Sequence, residues 1–166
     1  MKILSNAIFV MLTCLLASLA FAFEENTNTE KQKILSAEYN VELKNSSFSE
    51  NSLTMTKRST ECMYDSGADQ ISIAPGNQQS VYLQDNDNLF SGCAFGTKRV
   101  EWDVSSGLMS CTLYFEHGYD SGWYTVIEGC PDIVKSAVCN EDANCNQIRV
   151  YGSEPNIDIN VEFLVR

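Results

Sequence analysis

The sequence predicts an all-β protein: an antiparallel β-sandwich of about nine short strands, disulfide-stabilised, with at most one short helix. Three observations lead there. Apolar residues alternate with polar ones over short runs, the period of a half-buried strand. Clusters of Gly, Pro, Asn, Asp and Ser punctuate those runs. The cysteines, Cys14 excepted, all fall at or beyond Cys62.

Cys14 belongs to a segment of different character. Residues 1–22 read MKILSNAIFVMLTCLLASLAFA. Lys2 precedes an apolar run from Ala7 to Leu19, and Ala20-Phe21-Ala22 supplies a small-x-small cleavage pattern. This is expected to be a signal peptide, delivering the chain to the periplasm or the exterior. The run is shorter than the roughly 20 residues a spanning helix needs, and no later stretch approaches that length, so no membrane span is expected in the mature chain. Lipid attachment at Cys14 is disfavoured, because Thr13 stands where a small Gly or Ala is usual and Leu15-Leu16 follow where a polar tether belongs.

Cleavage leaves Cys62, Cys93, Cys111, Cys130, Cys139 and Cys145. An even set in an oxidising compartment implies disulfides throughout, and no catalytic thiolate. Cys139 and Cys145 enclose the polar loop from Asn140 to Asn144 and are the favoured pair. A hairpin turning about Gly118 would set Cys111 opposite Val126, which argues against a Cys111–Cys130 bond.

Charge narrows the partners. The chain carries 11 Lys+Arg against 22 Asp+Glu, a net −11. That excludes nucleic acid or anionic lipid held by a general positive field. A single histidine excludes any site that needs two from one chain.

The elements follow in order. Residues 23–35 are largely polar and read as a flexible leader ahead of one sandwich domain over 36–166. Tyr39, Val41 and Leu43 alternate with polar partners, then Asn45-Ser46-Ser47 turns. Leu53 to Thr56 alternates again, ahead of the dibasic Lys57-Arg58. That pair marks where a propeptide could end, but the alternation before it argues for strands of the same domain. Ile71 and Ile73 precede the turn Pro75-Gly76-Asn77. Val81 and Leu83 lead to the polar loop Asp85-Asn86-Asp87-Asn88. Val100, Trp102 and Val104 precede Ser105-Ser106-Gly107, and Cys111, Leu113 and Phe115 share the next face. The stretch from Glu116 to Gly122 connects to Trp123, Thr125 and Ile127. Asp132 to Cys139, opened by Pro131, is the one helical candidate. Ile148 and Val150 form a short run, and Ile157, Ile159, Val161, Phe163 and Val165 make the clearest strand.

Candidate sites are few. His117 has Glu116, Asp120 and Ser121 nearby, but residues so close in one loop rarely converge as a triad, and no G-x-S-x-G elbow is present. His117 is therefore expected to be a solvated hairpin residue, and no catalytic residue is assigned. Asp85 and Asp87 offer oxygens that suit Ca²⁺, without the glycine and distal glutamate of an EF-hand loop, so no metal or other cofactor is assigned. Asn45-Ser46-Ser47 is an N-x-S/T sequon. The loop holding Tyr119, Asp120, Trp123 and Tyr124 is the best candidate for ligand binding. Its aromatics suit stacking on a sugar or anchoring at a protein surface.

Tyr39-x-Val41-x-Leu43-x-Asn45, followed by Pro75-Gly76 before an alternating strand, loosely resembles thaumatin-like and aegerolysin-like secreted β-sandwich groups. The likeness implies the fold and export only, and no residue set carries over. The expected function is an exported binding module for a glycan or a protein surface. A secreted carboxylate-dependent hydrolase, and an inhibitor or structural component of an envelope or matrix, are the alternatives.

Overall fold

A computed structural model describes residues 36–152 and 156–166. The signal peptide expected over 1–22 and the leader over 23–35 lie outside the described residues.

Two six-stranded sheets pack face to face. The first contains β1 (Glu38–Asn45), β3 (Met63–Asp65), β5 (Gln78–Asp85), β9 (Val134–Cys139), β10 (Ala143–Asn144) and β12 (Asn156–Phe163). Its order is β10-β9-β12-β1-β5-β3. The second contains β2 (Leu53–Glu61), β4 (Gln70–Ile73), β6 (Lys98–Ser106), β7 (Met109–Tyr119), β8 (Trp123–Gly129) and β11 (Val150–Tyr151). Its order is β11-β8-β7-β6-β2-β4.

The alternation read from the sequence sets which side chains meet. Tyr39, Val41 and Leu43 of β1 and Ile157, Ile159, Val161 and Phe163 of β12 face inward. They oppose Val100, Trp102 and Val104 of β6 and Leu113 and Phe115 of β7. Each such side chain stabilises the fold by about 1.5–3 kcal/mol relative to full exposure.

Pairing is antiparallel with one exception between named strands. β1 and β12 run parallel, Glu38 beside Asn156 through Asn45 beside Phe163. The strands nearest the two ends of the described chain thus lie side by side at the centre of a sheet. Lys57 and Arg58 lie within β2, beyond its pairing with β4 and at the bulge in its pairing with β6.

Three local expectations are corrected. Asp132 to Cys139 forms no helix. Val134–Cys139 pairs with β12 as β9, since β-branched Val134 and Val138 suit a strand and pairing outweighs the weak helical pattern. The one helical element among the described residues is a 3₁₀ turn, Leu89–Ser91. The hairpin turns at Asp120–Gly122 rather than about Gly118, with Tyr119 opposite Trp123 and Leu113 opposite Gly129.

That shift explains the third correction, for Cys111 and Cys130 are bonded. The longer strands bring Cys111 to the same end of the hairpin as Cys130. Gly129 (φ +84°) and Cys130 (φ 50°) are both left-handed, and Cys130 is buried beside the core. Gly129 is required there, because a Cβ would meet the Thr112 carbonyl oxygen at 2.0 Å. Cys62–Cys93 and Cys139–Cys145 are the other two bonds, the latter as the sequence favours.

Asn45, the sequon asparagine, is fully buried. Its Nδ2 donates to the carbonyls of Asn51 (3.0 Å) and Ile73 (2.9 Å). It ties the β1 turn to β4 and offers no amide to a glycosylating enzyme in the folded protein.

Candidate binding surface

The β7–β8 hairpin separates its residues onto two faces. His117, Tyr119, Trp123 and Thr125 share the inner face, while Glu116, Gly118 and Tyr124 share the outer one.

On the inner face an aromatic series runs from core to surface. Phe115 packs on Tyr39 at 4.7 Å between centroids, and Tyr39 on His117 at 5.4 Å. His117 stacks on Trp123 at 5.0 Å with the planes 7° apart. Trp123 meets Tyr119 edge to face at 5.4 Å, and Tyr119 meets Phe95 at 6.4 Å. The series begins fully buried and ends in the open, where Tyr119 is 52% and Phe95 72% exposed. Edge-to-face and offset geometries are the ones the ring quadrupole favours.

His117 is therefore not a solvated hairpin residue. It is buried, and its Nδ1 lies 2.9 Å from Thr125 Oγ1. Burial, aided by the positive charge of Lys98, lowers its pKa to about 4. It is neutral at ordinary pH and part of the packing.

Phe95 comes from the loop joining β5 to β6. Asn88 caps the 3₁₀ turn of that loop by accepting from Phe90 N–H at 2.8 Å. Leu89 and Phe90, on the turn itself, are 69% and 99% exposed. Asn86 N–H donates to the Cys62 carbonyl at 2.8 Å, and the Cys62–Cys93 bond ties the loop to the β2–β3 junction.

Asp85 and Asp87, considered above as calcium ligands, have internal partners. Asp85 accepts from the Ala37 N–H at 2.7 Å and the Tyr39 hydroxyl at 3.1 Å. Burial, then the neighbouring charge of Asp87, raises its pKa to about 6. Burial and Asp85 likewise push the Tyr39 hydroxyl far up. Asp87 pairs with Lys98 Nζ at 3.0 Å, and the Lys98 side chain is wholly buried. The cation beside this acidic loop is a lysine. Among the described residues no group of three or more His, Cys, Asp or Glu is arranged to hold a metal ion.

The outer face holds a polar network. Tyr124, only 5% exposed, donates to Glu116 Oε1 at 2.6 Å. Arg99 also bonds Glu116, and Arg149 lies over the Tyr124 ring at 4.1 Å. Burial works to raise the Glu116 pKa, but the Tyr124 hydroxyl and Arg99 hold it below its ordinary value. Burial and Glu116 in turn raise Tyr124 to about 12. Gly118 makes room for this ring: a Cβ there would meet Tyr124 Oη at 2.6 Å. Asp120 is engaged through both oxygens. Ser121 bonds Oδ1, while Arg149 (2.7 Å) and Tyr151 (3.1 Å) bond Oδ2.

The four loop residues singled out in the sequence thus divide. Tyr119 and the half-buried Trp123 join the aromatic series, Asp120 is held by its neighbours, and Tyr124 lies under Tyr151 and Arg149. Leu89, Phe90, Phe95 and Lys98 were not singled out. Apolar side chains inside a segment bounded by Asn and Gly were the available signal, since a solvated loop has no use for them. The two buried acids, Asp85 and Glu116, lie between the sheets and on the outer face respectively, so they do not face each other.

No family model matches the chain, and no curated protein matches it. Among solved structures, the chain is similar to RahU protein, crystallised with a TRIS molecule, over 78% of this chain and 96% of that one, at 11% identity and TM-score 0.47. It is similar to IP-1A from Alcaligenes faecalis over 81% and 97%, at 11% identity and TM-score 0.39. These likenesses carry no functional argument. The three disulfides are consistent with an extracellular location, and no helix among the described residues is long and apolar enough to cross a membrane.

Proposed function

We propose that this protein is an exported, non-catalytic binding module that grips the surface of another protein through the aromatic end of its sandwich. The observation that carries this is the exposure of Phe95 and Tyr119, which lean on each other and, through Trp123, on the packed interior, with Leu89 and Phe90 exposed in the same loop as Phe95. Large apolar side chains held on a rigid frame lose little entropy on binding, which is the property of an interface anchor.

A protein partner fits better than a glycan. One ring face that would stack on a sugar, at Trp123, is taken by His117, and Lys98 stands against the same ring. Both Asp120 oxygens that would bond hydroxyls already have partners. Leu89, Phe90 and Phe95 bring no polar group to a saccharide but fill apolar pockets well. The net charge of −11 favours a basic or neutral partner surface. Export rests on the 1–22 segment together with the disulfides.

The test is selection of displayed peptides on the full chain, run beside a glycan array. Peptides that bind the parent and lose at least about tenfold in affinity for Phe95→Ser/Tyr119→Ser support the reading. Array binding that is abolished by Trp123→Ala, with no peptide selected, would replace it with a glycan site.

A further inference from the structure

We propose that Lys98 positions the β5–β6 loop so that Phe95 stands beside Tyr119, and is thereby a positioning residue for recognition; this rests on the reading of that surface given above. A lysine with no exposed side-chain surface needs a reason, since burial strips its ammonium of water. Its surroundings supply one. Nζ is 3.0 Å from Asp87 Oδ1, at the start of the loop. It is 3.5 Å from the Ala94 carbonyl, next to Phe95. It stands 4.3 Å from the centroid of the Trp123 ring, the platform on which Tyr119 leans. One ammonium therefore touches both limbs of the loop and the aromatic series it extends.

The other contacts of the loop divide the work. Cys62–Cys93 and the Asn86 N–H to Cys62 carbonyl bond hold it to the β2–β3 junction, away from the hairpin. Among the described residues, the polar contacts of the loop that reach toward the β7–β8 side pass through Lys98. Its register partner on β7 is His117, whose ring stacks on the same indole. An apolar residue at 98 would fill the space but join nothing.

The experiment compares Lys98→Met, Asp87→Asn and their double variant in the intact, disulfide-bonded chain. Amide exchange is followed in residues 86–97, and acrylamide quenching is followed for Trp123, the other tryptophan, Trp102, being buried. The expected result is exchange at least about tenfold faster in the loop with protection of β1, β6 and β12 unchanged. The double variant should be no worse than either single one, because both remove the same tie. Trp123 quenching should rise, and affinity for a selected peptide should fall about tenfold though Phe90, Phe95 and Tyr119 are intact. Unchanged loop exchange in Asp87→Asn overturns the proposal even if Lys98→Met fails to fold. A loosened loop with undiminished affinity also overturns it. Undiminished affinity of Phe95→Ser/Tyr119→Ser instead removes the surface reading, and loop exchange, measured without peptide, still decides what Lys98 does.

Discussion

Lys98 and Trp123, on different strands of one sheet, meet with the ammonium 4.3 Å from the indole centroid, and His117 stacks against the same ring. Asp85 lies close enough for the Lys98 charge to act on it, partly offsetting the rise that burial and Asp87 impose. The end of the sandwich that presents exposed aromatics is thus built over a buried set of titratable groups.

Two of those groups oppose each other in pH dependence. Asp85 has a folded pKa of about 6 against an ordinary 3.8, so its stabilising contribution is complete below 3.8 and is lost as pH rises through 6. His117 has a folded pKa of about 4 against 6.5, so its contribution is complete above 6.5 and is lost as pH falls through 4. Between these limits they nearly cancel. His117→Gln should therefore gain stability, relative to its own value at pH 7, by roughly 3 kcal/mol on acidification to pH 4, and Asp85→Asn should lose a similar amount. Urea unfolding at several pH values checks this, and profiles parallel to that of the parent would contradict it.

Tyr119 and Tyr124 stand five residues apart but on opposite faces, and their roles should separate. Tyr124→Ala removes a buried ring and leaves Glu116 without its hydroxyl donor, an expected loss of about 3–5 kcal/mol. Tyr119→Ala should change stability by less than about 1 kcal/mol while weakening peptide binding. Thermal unfolding and titration on the same samples distinguish the two.

Asn45 should carry no glycan when the chain is expressed in a glycosylating host, as intact mass will report. Asn45→Ala should cost about 2–3 kcal/mol, because the carbonyl of Asn51 and the buried carbonyl of Ile73 both lose a donor.

The three disulfides close loops of different length. Removal of Cys62–Cys93, 31 residues apart, should cost about 4 kcal/mol. Loss of Cys139–Cys145, 6 apart, should cost about 2. Paired Cys→Ser variants in urea check the order, and a reversed order would point to strain rather than chain entropy.

The strands were legible because alternation has a physical cause: one face of each sheet meets the other across the core. Ile157 to Phe163 shows it without interruption. What alternation does not specify is where a hairpin turns. Gly118 reads as a turn residue, yet it lies in β7 because Tyr124 needs the space a side chain would occupy. From that misplacement came the wrong expectation for Cys111 and Cys130. The parallel pairing of β1 with β12 was equally hidden, since alternation looks the same in either direction.

The candidate surface was half legible. Tyr119 and Trp123 were visible as aromatics near a turn. Lys98 was not, because a charge in sequence reads as solvated, and its burial depends on Asp87 and Trp123 arriving from two other segments. The expectation of a solvated His117 fails for the same reason, its ring being covered by Tyr39 and Trp123 from separate strands.

The most direct measurement is the affinity of a selected peptide for the parent chain and for Phe95→Ser/Tyr119→Ser, at matched thermal stability. The account predicts a loss of at least about tenfold with unfolding unchanged. Equal affinities would contradict the assignment of the aromatic end as the recognition surface.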